Sequence, residues 1–182
     1  MSPAELPLAG LRFTLVGPGS VGQSLAAWIV ARGGRLSQLA GRPGSASVQA
    51  FARRSGVPGV ETRQLATRGE ELLLIAVPDG ELDGIASLLA QRPQAAVALH
   101  VSGVAGAAVL APLRAAGSAI GGFHPLRAFP TPEPGVEEAS GLFFALDGDP
   151  PAIELGRRLA TAFGATAAEI PAVQRPLYHL VA

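Results

Sequence analysis

One run of apolar residues strongly restricts how this 182-residue chain can fold. Residues Leu72–Val77 read LLLIAV, so no polar side chain stands at any alternate position. Because successive side chains of a strand point to opposite faces of its sheet, such a run needs apolar cover on both faces. The run therefore predicts a central strand of an α/β fold, lying between two layers of helices.

Short apolar runs alternate with helical patterns along the chain, which is typical of a parallel sheet flanked by helices. We expect a doubly wound, mostly parallel sheet of about seven or eight strands, with helices on both faces. The predicted strands are Leu11–Val16, Leu36–Ala40, a short one near Val60, Leu72–Val77, Ala96–Val101, Ser118–Phe123, Leu142–Leu146 and Ala165–Ile170. The predicted helices are Ser20–Arg32, Ala46–Arg54, Leu82–Gln91, Ala105–Ala115 and Ala152–Phe163.

Composition excludes several classes of protein. Hydrophobic residues make up 48% and charged residues 15%, a balance that excludes a disordered chain. The 14 basic and 14 acidic residues cancel, so no electrostatic footprint for nucleic acid or an anionic membrane exists. Every basic residue is Arg, which excludes Schiff-base chemistry, and the absence of Cys excludes disulfides and zinc–thiolate sites. With no secretory signal in residues 1–10 and no unbroken apolar span, we expect a cytoplasmic protein.

A glycine-rich loop follows the first predicted strand and opens the first predicted helix. Its glycines, Gly17, Gly19 and Gly22, form the pattern G-x-G-x-x-G. In a dinucleotide-binding fold they serve a tight turn, a close approach of backbone to the pyrophosphate, and close helix–strand packing. The helix that begins at Ser20 and Val21 then offers free N–H groups to the phosphates. The loop predicts a Rossmann-type site, with these five residues as cofactor contacts, over a purely structural turn.

The end of the second predicted strand indicates which dinucleotide binds. The segment AGRPGS, residues 40–45, has no carboxylate to accept the ribose 2′-hydroxyl of NAD. The Arg42 guanidinium can instead bind a 2′-phosphate in a forked arrangement, and Ser45 can add a hydroxyl donor. We therefore favour NADP (NADPH) over NAD, the alternative being that Arg42 is an ordinary solvated side chain. The missing acid also counts against S-adenosylmethionine and hence a methyltransferase.

Two further predicted strands should end at the same cleft, because ligands of such sheets bind beyond the carboxyl ends of the strands. At the end of the fourth strand, the backbone of Val77 and Pro78 can pass along the cofactor, while Asp79 is expected to cap the next helix. After the fifth strand, Ser102 either hydrogen-bonds nicotinamide or substrate or caps the following helix. The sequence leaves these two roles of Ser102 open.

His124 is the candidate proton donor, with Ser102 as a second candidate catalytic residue. Because His124 precedes a proline, its backbone is held extended at the end of the sixth predicted strand, and its imidazole can titrate near neutral pH. The alternative is a structural histidine, which is the role we expect for a buried His100. The long loop Pro125–Gly141 is either a lid or mobile surface, in which Arg127 can bind an anionic substrate group. We expect no metal site.

Five short segments occur in an order that resembles a known family. They are the Val16–Gly22 loop, the Val77–Asp79 turn, HVSG at 100–103, FHPL at 123–126 and PLYH at 176–179. Together they resemble a family of Rossmann-like oxidoreductases with a C-terminal helical domain, related to pyrroline-5-carboxylate reductase and the 6-phosphogluconate dehydrogenase superfamily. The resemblance implies an NADP-binding domain over residues 1–171. Residues 172–182 then begin a helical domain that, in relatives, supplies the dimer interface and part of the active site.

Two functions of different classes fit these observations. The first is the NADP-binding domain of an oxidoreductase that transfers hydride to or from a small carbonyl or imine acid. The resemblance implies that the full-length protein is a homodimer and that this chain alone is inactive. The alternative is a non-catalytic nucleotide-sensing or protein-interaction module, which the absence of Lys and of a convincing acid–base pair would favour.

Overall fold

A computed structural model describes residues 6–92, 94–131, 135–171 and 174. Eight strands form one sheet in the order β3-β2-β1-β4-β5-β6-β7-β8. The strands are β1 (Arg12–Val16), β2 (Arg35–Gly41), β3 (Gly59–Glu61), β4 (Leu72–Ile75), β5 (Val97–His100), β6 (Ala119–Pro125), β7 (Phe143–Gly148) and β8 (Thr166–Glu169). The helices are α1 (Ser20–Ala31), α2 (Ala46–Ser55), α3 (Leu82–Leu89), α4 (Ala111–Ala115) and α5 (Pro150–Phe163).

The predicted doubly wound, mostly parallel sheet is confirmed. All pairings among β1 to β6 are parallel, whereas β7 pairs antiparallel with β6 and β8 runs parallel to β7. Strand order reverses between β1 and β4, because the chain leaves β1 toward β2 and β3 and then returns to the other side. The carboxyl ends of β1 and β4 at this reversal are where sheets of this kind form a ligand crevice.

The central strand separates two apolar layers. Leu72 and Leu74 pack into one buried cluster with residues of α1, α2 and α5, and Leu73 and Ile75 pack into a second cluster with residues of α3 and α4. All four side chains are fully buried. The uniformly apolar run is therefore explained, as predicted, by helices on both faces of β4.

The predicted helix Ala105–Ala115 is wrong as a continuous element. Residues Ala107–Leu110 form a 3₁₀ turn, and α4 begins only at Ala111. Pro112 accounts for the break, because proline has no N–H and its ring would collide with the carbonyl of Ala108 in a continuous α-helix. In the first turn of a new helix, where the structure places it, Pro112 is tolerated.

Strand β6 also runs beyond its predicted end, reaching Pro125. Its extension pairs antiparallel with β7, with His124 opposite Ala145, whereas β5 pairs with β6 only as far as Gly122. One side of the extension is therefore an edge, where a proline costs no sheet hydrogen bond.

An aromatic cluster anchors the loop that follows β6. Trp28 packs against Phe163 and Phe129 with ring-centroid distances of 5.6 and 5.9 Å, and its indole N–H donates to the carbonyl of Gly135 at 3.1 Å.

The predicted start of a further helical domain at 172–182, including Tyr178 and His179, lies outside the described residues except for Gln174. Among the described residues, no helix combines the length and apolarity that a membrane crossing requires.

Candidate nucleotide-binding site

Two glycines of the loop after β1 are required by close packing. Gly17 has φ +84°, and a Cβ at this position would overlap the carbonyl of Ala76 at the end of β4. A Cβ on Gly22, in the first turn of α1, would overlap the carbonyl of Gly17 and lie 3.0 Å from the Ala76 side chain. The loop therefore folds tightly against β4 only because both side chains are absent.

Gly19 is glycine for a different reason. It has an ordinary φ of −78°, and a Cβ built on it meets no atom within 4 Å. As the N-cap of α1 it offers no side-chain cap, and no acidic residue occupies the first turn. The N–H groups of Ser20, Val21 and Gly22 thus lack carbonyl partners within the helix, beside open space. This arrangement is suited to bind an anion.

A buried glutamine braces the loop from behind. The Gln23 side-chain amide donates to the carbonyl of Pro18 at 2.7 Å, and its oxygen accepts from the Arg54 guanidinium of α2 at 2.7 Å. The loop backbone is therefore linked to a neighbouring helix as well as to its own strand. Sequence reasoning missed this contact, because it assigned roles only to the glycines and to the helix start.

A cavity of about 260 Å³ lies at the carboxyl ends of β1, β2 and β4. The structure brings six of the predicted cofactor contacts together in its lining: Gly17, Gly19, Arg42, Ser45, Val77 and Pro78. Ser47, Thr62, Glu81 and Ile85 also line it, and sequence reasoning had not singled them out. Their positions depend on the packing of β3, α2 and α3 around the crevice rather than on any local motif.

Charged and hydroxyl groups occupy the wall formed by the end of β2. The Arg42 side chain is 77% exposed, and its Nη2 lies 3.4 Å from Oε1 of Glu81. Ser45 is the N-cap of α2, where its Oγ accepts from the N–H of Val48 at 3.4 Å and hydrogen-bonds the Ser47 Oγ at 3.0 Å. A guanidinium, two hydroxyls and a helix N-terminus therefore face the same cavity.

Glu81 reaches the cavity from the opposite wall. It belongs to a 3₁₀ turn, Asp79–Glu81, that connects β4 to α3, and its backbone N–H donates to the carbonyl of Pro78 at 2.9 Å. The expectation that Asp79 caps the next helix is wrong. Pro78 is the N-cap of the turn, and the N-cap of α3 is Glu81, with no side-chain cap bond at either position.

A second cavity of about 370 Å³ continues the first toward β5. It shares Gly19, Ala76, Val77 and Pro78 with the first cavity and adds Ser20, Val21, Asp79 and residues 101–103. The two together form one cleft across the carboxyl ends of β1, β4 and β5. This is the crevice expected at the reversal of strand order.

Ser102 lines this second cavity but is engaged by the backbone. Its Oγ accepts from the N–H groups of Val104 and Ala105 at 3.1 and 2.9 Å, which closes a turn after β5. The expected helix cap is wrong, because the N-cap of the following 3₁₀ turn is Gly106 and that of α4 is Leu110. Its own N–H donates to Nδ1 of His100 at 3.2 Å. His100 is fully buried and hydrogen-bonded, as predicted. Contact of Ser102 with nicotinamide or substrate stays a prediction.

The structure does not bring His124 into the cleft. His124 is partly buried within β6. Among the described residues, those that line the two cavities do not include His124. Arg127 donates to the backbone carbonyl and the carboxylate of Glu138 at 3.0 and 2.5 Å, so its guanidinium already has an anionic partner within the loop. A catalytic role for His124 stays a prediction.

The described residues hold no metal-ligand cluster, and one carboxyl outside the cleft has a shifted pKa. In the described part of the chain, no group of three or more His, Cys, Asp or Glu side chains could hold a metal ion. Outside the cleft, the Arg114 guanidinium hydrogen-bonds Asp149 and holds the pKa of that carboxyl below its usual value, aided by the N–H of Ile120. The shifted group thus belongs to the start of α5.

Comparison with known proteins identifies the class of this fold. Residues 2–125 match the family described as the Rossmann-like domain. This match covers more than half of the 182 residues, so the chain belongs to the Rossmann-like domain family. The predicted Rossmann-type fold and the resemblance to a Rossmann-like family are confirmed. No curated protein has a significant sequence match to the chain.

Solved dehydrogenases and reductases share the fold. A Bacteroides fragilis protein provisionally named an NADP oxidoreductase has a TM-score of 0.81 at 16% identity, over 96% of this chain and 66% of its own. Synechocystis arogenate dehydrogenase gives 0.72 at 18%, over 91% and 61%. Streptomyces aurantiacus imine reductase gives 0.62 at 22%, over 93% and 60%. The chain thus has the fold of NAD(P)-binding dehydrogenase domains and spans 60–66% of the length of these proteins.

Proposed function

We propose that this chain binds NADP(H), and that residues 1–171 form the cofactor-binding domain of an oxidoreductase acting on a small carbonyl or imine acid. The observation that carries the proposal is the single cleft in which the glycine loop, Arg42 and the end of β4 meet. The fold shared with proteins named as an NADP oxidoreductase, an arogenate dehydrogenase and an imine reductase supports the reaction class.

The glycine loop fits the pyrophosphate. Open space above Gly19 lets phosphate oxygens approach the backbone, and the free N–H groups at the start of α1 can donate to them. The Gln23 side-chain amide donates to the Pro18 carbonyl, which ties the loop backbone to α1. The same contacts serve NADPH and NADH, so the loop sets affinity without choosing between them.

The wall at the end of β2 fits a 2′-phosphate. Arg42 offers a forked donor, and Ser45 and Ser47 offer hydroxyls at the N-terminus of α2. Each of these groups favours a negative charge, whereas the ribose 2′-hydroxyl of NAD would use only one or two of them. We therefore propose NADP as the preferred cofactor.

The remaining residues of the cleft would orient the reacting end of the cofactor. Val77, Pro78 and Ser102 border the second cavity, where the nicotinamide would lie. Bound NADPH supplies the hydride. We propose that Ser102 positions the nicotinamide or the substrate, and that His124, on a neighbouring strand, donates the proton to the reduced carbonyl or imine.

A nucleotide-sensing module is the second candidate. Two observations favour it: the Ser102 hydroxyl already accepts two backbone N–H groups, and His124 is not part of the cleft lining given by the described residues. NADPH oxidation by the protein, screened with keto acids and cyclic imines, separates the two. Turnover supports the oxidoreductase, and tight binding without turnover on any of these substrates favours the sensor.

Calorimetric titration of NADPH and NADH tests the cofactor preference. We expect the wild type to bind NADPH at least about tenfold more tightly, because a charge-assisted hydrogen bond contributes roughly 1.5–3 kcal/mol. Arg42→Ala should remove this preference, whereas Arg53→Ala, at an exposed arginine of α2 outside the cavity lining, should keep it. Equal affinities of the wild type for the two cofactors would overturn the assignment of NADP.

A further inference from the structure

Glu81 and Arg42 lie across the cavity from each other. Arg42 follows β2, whereas Glu81 ends the short turn between β4 and α3, and the ion pair between them joins the two walls. Both side chains are substantially exposed, at 77% and 37%. The guanidinium assigned above to the 2′-phosphate therefore already has an anionic partner within the chain.

We propose that Glu81 determines cofactor selectivity by competing with the 2′-phosphate for Arg42. In the free protein the carboxylate holds the guanidinium. A bound 2′-phosphate must take over that guanidinium and must also lie near the Glu81 carboxylate. This inference rests on the proposed binding of NADP(H) in the cleft, and it assigns to Glu81 the role of limiting the preference for NADPH over NADH.

The exchange is physically reasonable because exposed ion pairs are weak. A solvent-exposed Arg–Glu pair contributes little to stability, so a stronger anion can displace the carboxylate at small cost. A phosphate monoester carries about −1.5 to −2 charges at neutral pH and matches the guanidinium fork, so it is the stronger anion. The displaced carboxylate then repels the phosphate that replaced it.

The backbone keeps Glu81 at the cavity wall. The N–H of Glu81 is bonded to the Pro78 carbonyl, and proline at the start of the turn fixes its own backbone angle. The displaced carboxylate can rotate about its side-chain bonds, but its Cα remains beside the site. NADH lacks the phosphate, so it neither needs the guanidinium nor meets this repulsion.

Glu81→Gln tests the proposal, because it removes the charge and keeps the shape of the side chain. Calorimetry with NADPH, NADH and adenosine 2′,5′-bisphosphate should show about tenfold tighter binding of the two 2′-phosphorylated ligands and unchanged binding of NADH. When Glu81→Gln is made in an Arg42→Ala background, the logarithm of the gain in NADPH affinity should be less than about half as large, because the guanidinium for which Glu81 competes is absent. Glu154→Gln, at an exposed glutamate of α5, should change nothing.

The outcomes separate this inference from the proposed function. Unchanged or weaker NADPH binding by Glu81→Gln overturns the competition. A selective loss of NADH affinity also overturns it, since Glu81 would then be accepting the ribose 2′-hydroxyl. Failure of the wild type to bind any of the three ligands would instead reject the proposed binding of NADP(H).

Discussion

Glycines at two places in the molecule serve opposite purposes. At the junction of β6 and β7, a Cβ on Gly121 would lie 2.8 Å from both the Ala152 side chain and the Asp147 carbonyl, and a Cβ on Gly148 would overlap the Ile120 backbone. At the cleft, a Cβ on Gly19 meets nothing within 4 Å. The junction glycines are needed by contacts within the chain. No contact within the described chain requires Gly19, and its open space is where the proposed cofactor would approach the backbone.

Side chains show the same contrast. Near the junction, Phe123 and Phe144 stack with centroids 4.3 Å apart, and Phe163 packs on both at 6.4 and 6.0 Å. At the cleft, the exposed side chains of Arg42 and Glu81 form an ion pair with 3.4 Å between Nη2 and Oε1. Substitutions at the junction should therefore change stability, whereas substitutions at the cleft should change ligand affinity.

The largest expected effect is on the stability of the junction. Phe163→Ala removes a fully buried ring from the aromatic cluster and should lower the free energy of unfolding by about 3–5 kcal/mol. Urea denaturation measures the loss. NADPH affinity of the remaining folded protein should be unchanged. A destabilisation below about 1 kcal/mol would show that neighbouring side chains fill the space left by the ring. The distinction between a junction that sets stability and a cleft that sets affinity would then be wrong.

The second prediction compares two glycines of the same loop. Gly19→Ala should weaken NADPH binding by at least about tenfold, because its methyl group occupies the space in which the backbone meets the pyrophosphate, while the melting temperature stays unchanged. Gly22→Ala should lower the melting temperature, because its methyl group overlaps the Gly17 carbonyl. Thermal unfolding and calorimetry on both variants measure the two effects. A lower melting temperature for Gly19→Ala than for Gly22→Ala would contradict the comparison.

A smaller effect is expected from the brace behind the loop. Gln23→Leu keeps the size of the side chain but removes the bonds to Pro18 and Arg54. NADPH and NADH affinities should fall by a similar factor, about threefold to tenfold, because both cofactors use the same pyrophosphate contacts. Calorimetry with both cofactors checks this. A loss confined to one cofactor would assign Gln23 to selectivity instead of loop position.

The smallest predicted effect depends on pH and lies outside the cleft. Asp149 accepts from Arg114 at 2.7 and 3.0 Å and from the N–H of Ile120 at 3.0 Å, and its pKa is lowered in the folded protein. Because the pKa of Asp149 is lower in the folded than in the unfolded protein, its carboxylate stabilises the fold at pH values above the unfolded-state pKa. This stabilisation is lost as pH falls through the folded-state pKa. Asp149→Asn should therefore cost about 1 kcal/mol at pH 7.

Unfolding curves of the wild type and of Asp149→Asn at several pH values measure this cost. The difference between the two proteins should shrink as pH falls below the ordinary pKa of an aspartate, about 3.9. NADPH affinity at pH 7 should be the same for both. A difference in stability that stays constant down to the acid limit would show that the charge of Asp149 is not responsible.

Much of the fold could be predicted from the sequence because its signals are local. The apolar run at Leu72–Val77 requires two covered faces, and the glycine spacing after β1 requires a tight turn into a helix. The break at Pro112 was also local, and it was missed because the apolar pattern of the region outweighed the effect of one proline.

Other parts of the candidate site could not be predicted because they depend on packing between distant segments. Glu81 meets Arg42 only after β2 and β4 are placed on either side of β1. Gln23 meets Arg54 only when α1 and α2 lie on the same face of the sheet. No pattern along the chain marks either pair. The sequence assigns Arg42 to a 2′-phosphate but does not link it to Glu81, and Glu81, Gln23 and Arg54 each read as ordinary polar positions.

A nitrogen–proton correlation spectrum recorded while NADPH is added examines the cleft directly. If the start of α1 cradles the diphosphate, the amide signals of Ser20, Val21 and Gly22 should move and saturate together, and the side-chain signal of Arg42 should follow. Signals of Phe163 and its neighbours should stay in place. Unchanged amide signals at Ser20–Gly22 under excess NADPH would contradict the proposal that this loop binds a dinucleotide.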